Sequence, residues 1–205
     1  TYGNNNLEYY KHYIITVKKE GRNAVTSIVR KLSENEEYLY SEKIFSAVNY
    51  DIKEKYNGDK KSMKDHWINY GIKEGRIASL VFDAKYYIEK YPDIKYIFGN
   101  NYEKAYEHFI NYGIYEGRQG SMYFDVKYYI NNNIDIKEAY GNDYMKALKH
   151  FVTTGINEGR TASSEFSCKK YQSNYSDLRY AYGNNYIEYF IHYINTGIKE
   201  NRKPI

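Results

Sequence analysis

The five histidines of this chain, His12, His66, His108, His150 and His192, each stand eight residues before a Glu-Gly-Arg-like triplet. The triplets are Glu20-Gly21-Arg22, Glu74-Gly75-Arg76, Glu116-Gly117-Arg118, Glu158-Gly159-Arg160 and Glu200-Asn201-Arg202. From His66 onward the spacing is 42 residues, and the first interval is 54, one unit plus a 12-residue insertion. Self-similarity at a fixed period is the mark of a repeat architecture, in which small units bury their apolar faces against one another. It constrains function as well. Five near-equal copies suit a multivalent surface better than a single active centre.

The period divides the chain into a truncated first unit (1–23), an insertion predicted to be helical (24–39), and four full units at 40–81, 82–123, 124–165 and 166–205. The first unit begins at Thr1-Tyr2-Gly3-Asn4-Asn5, which matches the Phe98-Gly99-Asn100-Asn101 stretch of the third. The chain is therefore expected to be a piece of a longer protein, with any signal peptide or catalytic domain upstream of Thr1.

Each unit reads as two to three short helices, so the predicted class is all-α, as a stacked repeat array or a compact helical assembly. Ser41, Asp83, Asp125 and Ser167 are N-cap types in register. The aromatic residue before each can staple to Phe45, Tyr87, Tyr129 or Tyr171 in the fourth helical position. A second helix start is predicted at Asp51, Asp93, Asp135 and Asp177, with Pro92 barring a continuous helix in unit three. In the longest helix Tyr102, Ala105, Phe109 and Tyr112 form one core-facing stripe. Gly71, Gly113, Gly155 and Gly197 follow as expected left-handed stops.

The 29 tyrosines supply much of the apolar content, so part of the core must be amphipathic and many rings must face water. A net charge of +4 without a Lys/Arg block or a nucleic-acid-binding motif argues against nucleic-acid recognition. No stretch reaches the ~18 apolar residues of a membrane span. Cys168, the only cysteine, excludes an internal disulfide. No nucleophile motif, P-loop or metalloprotease helix is present, and one histidine per unit is too dispersed for a metal site. Neither catalysis by this segment nor a cofactor is expected.

The candidate ligand-binding residues fall in three groups. His108 and His150 lie at the border of the core stripe, where each is expected to bond the next unit or to contact ligand. Arg118 and Arg160 are expected to pair with the recurring aspartates or to hold a sugar carboxylate. Tyr91, Tyr96, Tyr115, Tyr123 and Tyr180 break the period: Tyr91 aligns with Asn49 and Asn133, Tyr96 with Glu54 and Glu138, Tyr115 with Asn157. Positions that accept Asn or Glu elsewhere should be exposed, and exposed rings make rigid contacts for sugars or proteins.

The consensus Phe-Asp-x-x-Tyr-Tyr, Tyr-x-Asp-Ile/Leu, Phe/Tyr-Gly-Asn-Asn, Ala-x-x-His-Phe and Gly-Ile-x-Glu-Gly-Arg resembles repeats appended to secreted bacterial proteins, notably clostridial cell-wall hydrolases, glycosidases and surface proteins. It covers nearly all of the chain except 25–37. The resemblance implies an extracellular or cell-surface accessory module that binds wall polysaccharide or another glycan; the alternative is a protein-interaction or stalk array. Val17 in unit one, the Asn57-Gly58 order in unit two and Asn201 in unit five depart from the consensus.

Overall fold

The computed structural model describes residues 30–205. The first unit, with His12, Val17, Tyr2 and the first Glu-Gly-Arg triplet, lies outside the described residues, as does the start of the insertion. Among the described residues the regular structure is helical, with one isolated bridge between Ser121 and Phe124 and no strand. The chain is all-α.

Each complete unit folds as three helices. In unit three they are Ala84–Lys90, Pro92–Phe98 and Tyr102–His108; in unit four, Val126–Asn132, Ile134–Tyr140 and Tyr144–His150. Unit two has Glu42–Val48, Tyr50–Lys55 and Lys60–His66, and unit five Cys168–Asn174, Ser176–Tyr182 and Tyr186–His192. The first helix starts where its cap chemistry puts it. Asp83 accepts from the amides of Lys85 and Tyr86 at 2.9 and 3.3 Å, and Asp125 from those of Lys127 and Tyr128. The staple forms too, with Phe82 on Tyr87 and Phe124 on Tyr129 at ring separations of 5.7 Å.

The second helix corrects the expected cap. A single residue, Asn49, Tyr91, Asn133 or Tyr175, links the first two helices, and it makes no side-chain cap bond. Asp51, Asp93, Asp135 and Asp177 therefore fall at the second helical position, still in the first turn, where their charge favours the positive end of the helix dipole. Pro92 takes the first helical position, where its missing N–H costs nothing.

The third helix corrects the sequence reading twice. After each histidine the backbone widens into one π turn: Trp67–Gly71, Phe109–Gly113, Phe151–Gly155 and Tyr193–Gly197. A wide turn adds one residue and rotates everything beyond it, so Ala105 and Phe109 are buried while Tyr112 is 62% exposed. The glycine closing each wide turn stays right-handed and helical. The left-handed stop lies four residues later, at Gly75, Gly117 and Gly159 with φ of 66, 66 and 64°, and at Asn201 with 54°. Arg118 N donates to Gly113 O at 2.8 Å and Gly117 N to Ile114 O at 3.0 Å, the paired bonds of a Schellman stop.

Units close on themselves and then on one another. The amide that opens each first helix donates to the tail of its own unit: Ser41 to Ala78, Asp83 to Gly120, Asp125 to Ala162 and Ser167 to Pro204. Unit five returns to unit two, with Lys43 and Glu188 paired at 2.7 Å and Asn195 Nδ2 donating to Ala47 O at 3.0 Å. The insertion carries a short helix, Glu34–Glu37, opened by a reciprocal Ser33–Glu36 capping box. Its residues touch three units: Glu34 pairs with Lys149, Asn35 donates to the Tyr115 hydroxyl, Glu36 accepts from Tyr106, and Glu37 pairs with Lys64. These cross-links make residues 31–205 a compact helical assembly.

Candidate functional site

The histidines are built into their own units. The Tyr87 hydroxyl meets His108 Nδ1 at 3.0 Å, Tyr129 meets His150 at 2.8 Å and Tyr171 meets His192 at 3.0 Å. Among the described residues these histidines make no bond to the next unit; the first helix of the same unit packs against the third at this point in units three to five. In unit two Phe45 has no hydroxyl, and Tyr56 approaches His66 at 3.4 Å instead. The tyrosine oxygen also explains the glycine of the wide turn: a Cβ at Gly113, Gly155 or Gly197 would collide with it. Burial pushes the imidazole pKa of His66, His108 and His192 below its ordinary value. No group of three or more metal-ligating side chains converges among the described residues.

The arginines pair as their shared period predicts. Arg76, Arg118, Arg160 and Arg202 reach Asp51, Asp93, Asp135 and Asp177 of the same unit at 2.7 to 2.8 Å. Each also bonds the glutamate of its own triplet through Nε at 2.5 Å. The guanidinium holds all four aspartates below the usual carboxylate range. The clamp fixes the tail of the unit onto its second helix, each arginine being held by two carboxylates at once, although Arg202 Nη1 is buried without a partner among the described residues.

The face of the guanidinium is covered differently in alternate units. In units three and five a tyrosine stacks on it, Tyr91 on Arg118 at 5.0 Å and Tyr175 on Arg202 at 4.7 Å. The phenol oxygens accept the amides of Gln119 and Lys203, both at 2.7 Å. In units two and four Asn49 and Asn133 occupy this position and meet the arginine edge-on at 3.4 and 3.3 Å. Tyr91 is thus half-buried and committed to the fold. Tyr175, its counterpart 84 residues on, was not singled out by the sequence reading; comparing alternate units would have found it.

The remaining period-breaking tyrosines separate clearly. Tyr123 is only 4% exposed and packs among Phe166, Phe190 and Tyr193, which corrects its assignment to the surface. The tail of unit three carries it into the core of unit five. Tyr115 is 53% exposed, with its hydroxyl taking Asn35. Tyr96 and Tyr180 are 91% and 97% exposed. They occupy the same position of the second helix in units three and five, where units two and four carry Glu54 and Glu138.

A cleft of about 480 Å³ opens where units two, three and five meet, lined by Asn49, Glu74, Arg76, Ile77, Lys85 and Ile194 among others. Compared with known protein families, curated proteins and solved structures, the chain has no match. Among the described residues, the rings of Tyr96 and Tyr180 and this cleft are exposed to solvent.

Proposed function

We propose that this chain is a non-catalytic module of a secreted or cell-surface bacterial protein that binds cell-wall polymer or another glycan through several weak, repeated contacts. One observation carries the reading: Tyr96 and Tyr180, at equivalent positions of the second helix in alternate units, are 91% and 97% exposed to water. A ring held this way loses little entropy on binding and offers an apolar face to the C–H surface of a sugar. Two such contacts on one assembly raise avidity through effective concentration without needing a strong single site. His108, His150, Arg118 and Arg160 support the scaffold in this reading, and the rings meet the ligand.

Sedimentation with purified bacterial wall tests the proposal. Tyr96→Ala and Tyr180→Ala should each weaken binding about tenfold or less, and together by roughly the product, with unchanged melting. A double variant that sediments like the parent would refute the role of these rings. Ile97 beside Tyr96 and Ile134 in unit four, 65% and 69% exposed, favour the second reading, a protein-interaction surface. Retention of one partner protein with none on wall polysaccharide would establish that instead.

A further inference from the structure

We propose that the cleft beside Asn49 is a binding site for one pyranose ring carrying a carboxylate, an acidic sugar unit; this rests on the glycan-binding reading above. The case begins with what alternate units do at the same place. In units three and five a tyrosine ring covers the guanidinium, and its hydroxyl accepts the backbone amide of the residue after the arginine. Unit two has Asn49 there. The Asn49 side chain donates to the carbonyls of Phe45 and Ile77 and touches Arg76 only at its edge, at 3.4 Å. The guanidinium face is left without a ring. The Ile77 amide, equivalent to those of Gln119 and Lys203, has no hydrogen-bond partner among the described residues.

The residues that carry both unsatisfied features, Arg76 and Ile77, line one cleft of about 480 Å³ together with Asn49. That volume lies within the range of small-molecule sites. A backbone N–H without an acceptor is an incentive to bind one. A six-membered ring with oxygens on its edge matches the phenol that fills this place in units three and five. A pyranose has that size, a flat C–H face for the guanidinium and a hydroxyl for the Ile77 amide.

The acidic substituent follows from one cation on the wall, Lys85. Arg76 is already held by Asp51 and Glu74. Lys85 makes no ion pair or hydrogen bond through its ammonium among the described residues, and it lies 6.0 Å from the Tyr102 ring centroid. A ligand carboxylate would supply the counter-charge. Glu74 meanwhile offers an acceptor to a sugar hydroxyl.

The test fills the cleft with the residue that the fold already accepts. Asn49→Tyr should place a ring over Arg76 as in units three and five, with melting equal to or above the parent. The probe is an array of oligosaccharides bearing hexuronic, sialic or muramic acid, alongside their neutral counterparts. The parent should be retained on acidic members; Asn49→Tyr should weaken that retention at least tenfold, and Lys85→Ala should abolish the preference for acidic over neutral members. A folded Asn49→Tyr that binds like the parent overturns the site, as does a parent retained on no acidic member. If Asn49→Tyr does not fold, Lys85→Ala decides: a lost acidic preference supports the site and an unchanged one overturns it. Retention on tyrosine-bearing peptides in place of sugars, lost in Asn49→Tyr, overturns the sugar assignment. Wall sedimentation separates the two proposals: wall binding that survives Asn49→Tyr unchanged sinks the cleft alone, whereas a parent that does not sediment sinks the multivalent reading.

Discussion

Gly159→Ala should cost far more than a left-handed glycine normally does, because two penalties meet at this residue. Gly159 has φ of 64°, and a Cβ there would sit 2.7 to 2.8 Å from Cε2, Cδ2 and Cζ of Tyr186 in the following unit. Left-handed geometry costs an alanine about 1–2 kcal/mol. Forcing three ring atoms aside in a packed junction adds about 1–3 kcal/mol. The stiffer unfolded chain returns about 0.4–1 kcal/mol. A net loss of about 2–4 kcal/mol is a large part of the ~5–15 kcal/mol available to a typical domain. With a urea slope of about 2 kcal/mol/M, the midpoint should fall by about 1–2 M. Asn201→Ala provides the comparison: the same left-handed position in unit five, exposed, where only the backbone penalty applies, about 1 kcal/mol. In a Tyr186→Ala background, Gly159→Ala should shrink to that smaller value. An equal loss with and without the Tyr186 ring would refute the idea that the Glu-Gly-Arg glycine is there to admit the next unit.

Acid should weaken the fold in two stages. His66, His108 and His192 have folded pKa values below the ordinary 6.5, owing to burial, so the unfolded chain takes up their protons first as pH falls. Their contribution is complete above the unfolded pKa and is lost as pH drops from there toward the folded values, so the urea midpoint should decline as pH falls below about 6.5. The aspartates of the arginine clamps have lowered pKa values, and their contribution goes only below the ordinary 3.8. A flat midpoint from neutral pH down to about 5 would contradict the buried-imidazole account. Cys168 is 1% exposed and burial pushes its thiol up to about 11. A disulfide reagent should therefore label it only as the chain unfolds, and rapid labelling of the native protein at neutral pH would count against its burial.

What was legible in the sequence was whatever local chemistry or a shared period could carry. Asp83 and Asp125 cap helices because a short carboxylate before an apolar run has one good use. Arg118 and Asp93 could be paired because both recur every 42 residues. The wide turns after the histidines left no such mark, since any apolar helix sequence can host one, and Tyr112 was misplaced as a result. In units two, three and four the third helix also ends with two candidate glycines, Gly113 and Gly117 in unit three, and composition alone does not say which takes the positive φ. Asn201 was the available signal. It is the one replacement among the described copies of either glycine, and asparagine tolerates left-handed backbone where most residues do not.

The tyrosines mark the deeper limit. Breaking the 42-residue period was read as exposure, yet Tyr91 and Tyr175 obey a longer period of two units and are held over arginines. The fold accepts tyrosine or asparagine at that position, because either side chain reaches both the arginine and the backbone that follows it. Tyrosine is therefore the replacement for Asn49 that the fold is expected to accept. A position where folding permits two solutions, and where the smaller one opens a cleft beside an unpaired lysine and a free amide, is one at which ligand binding can decide the residue.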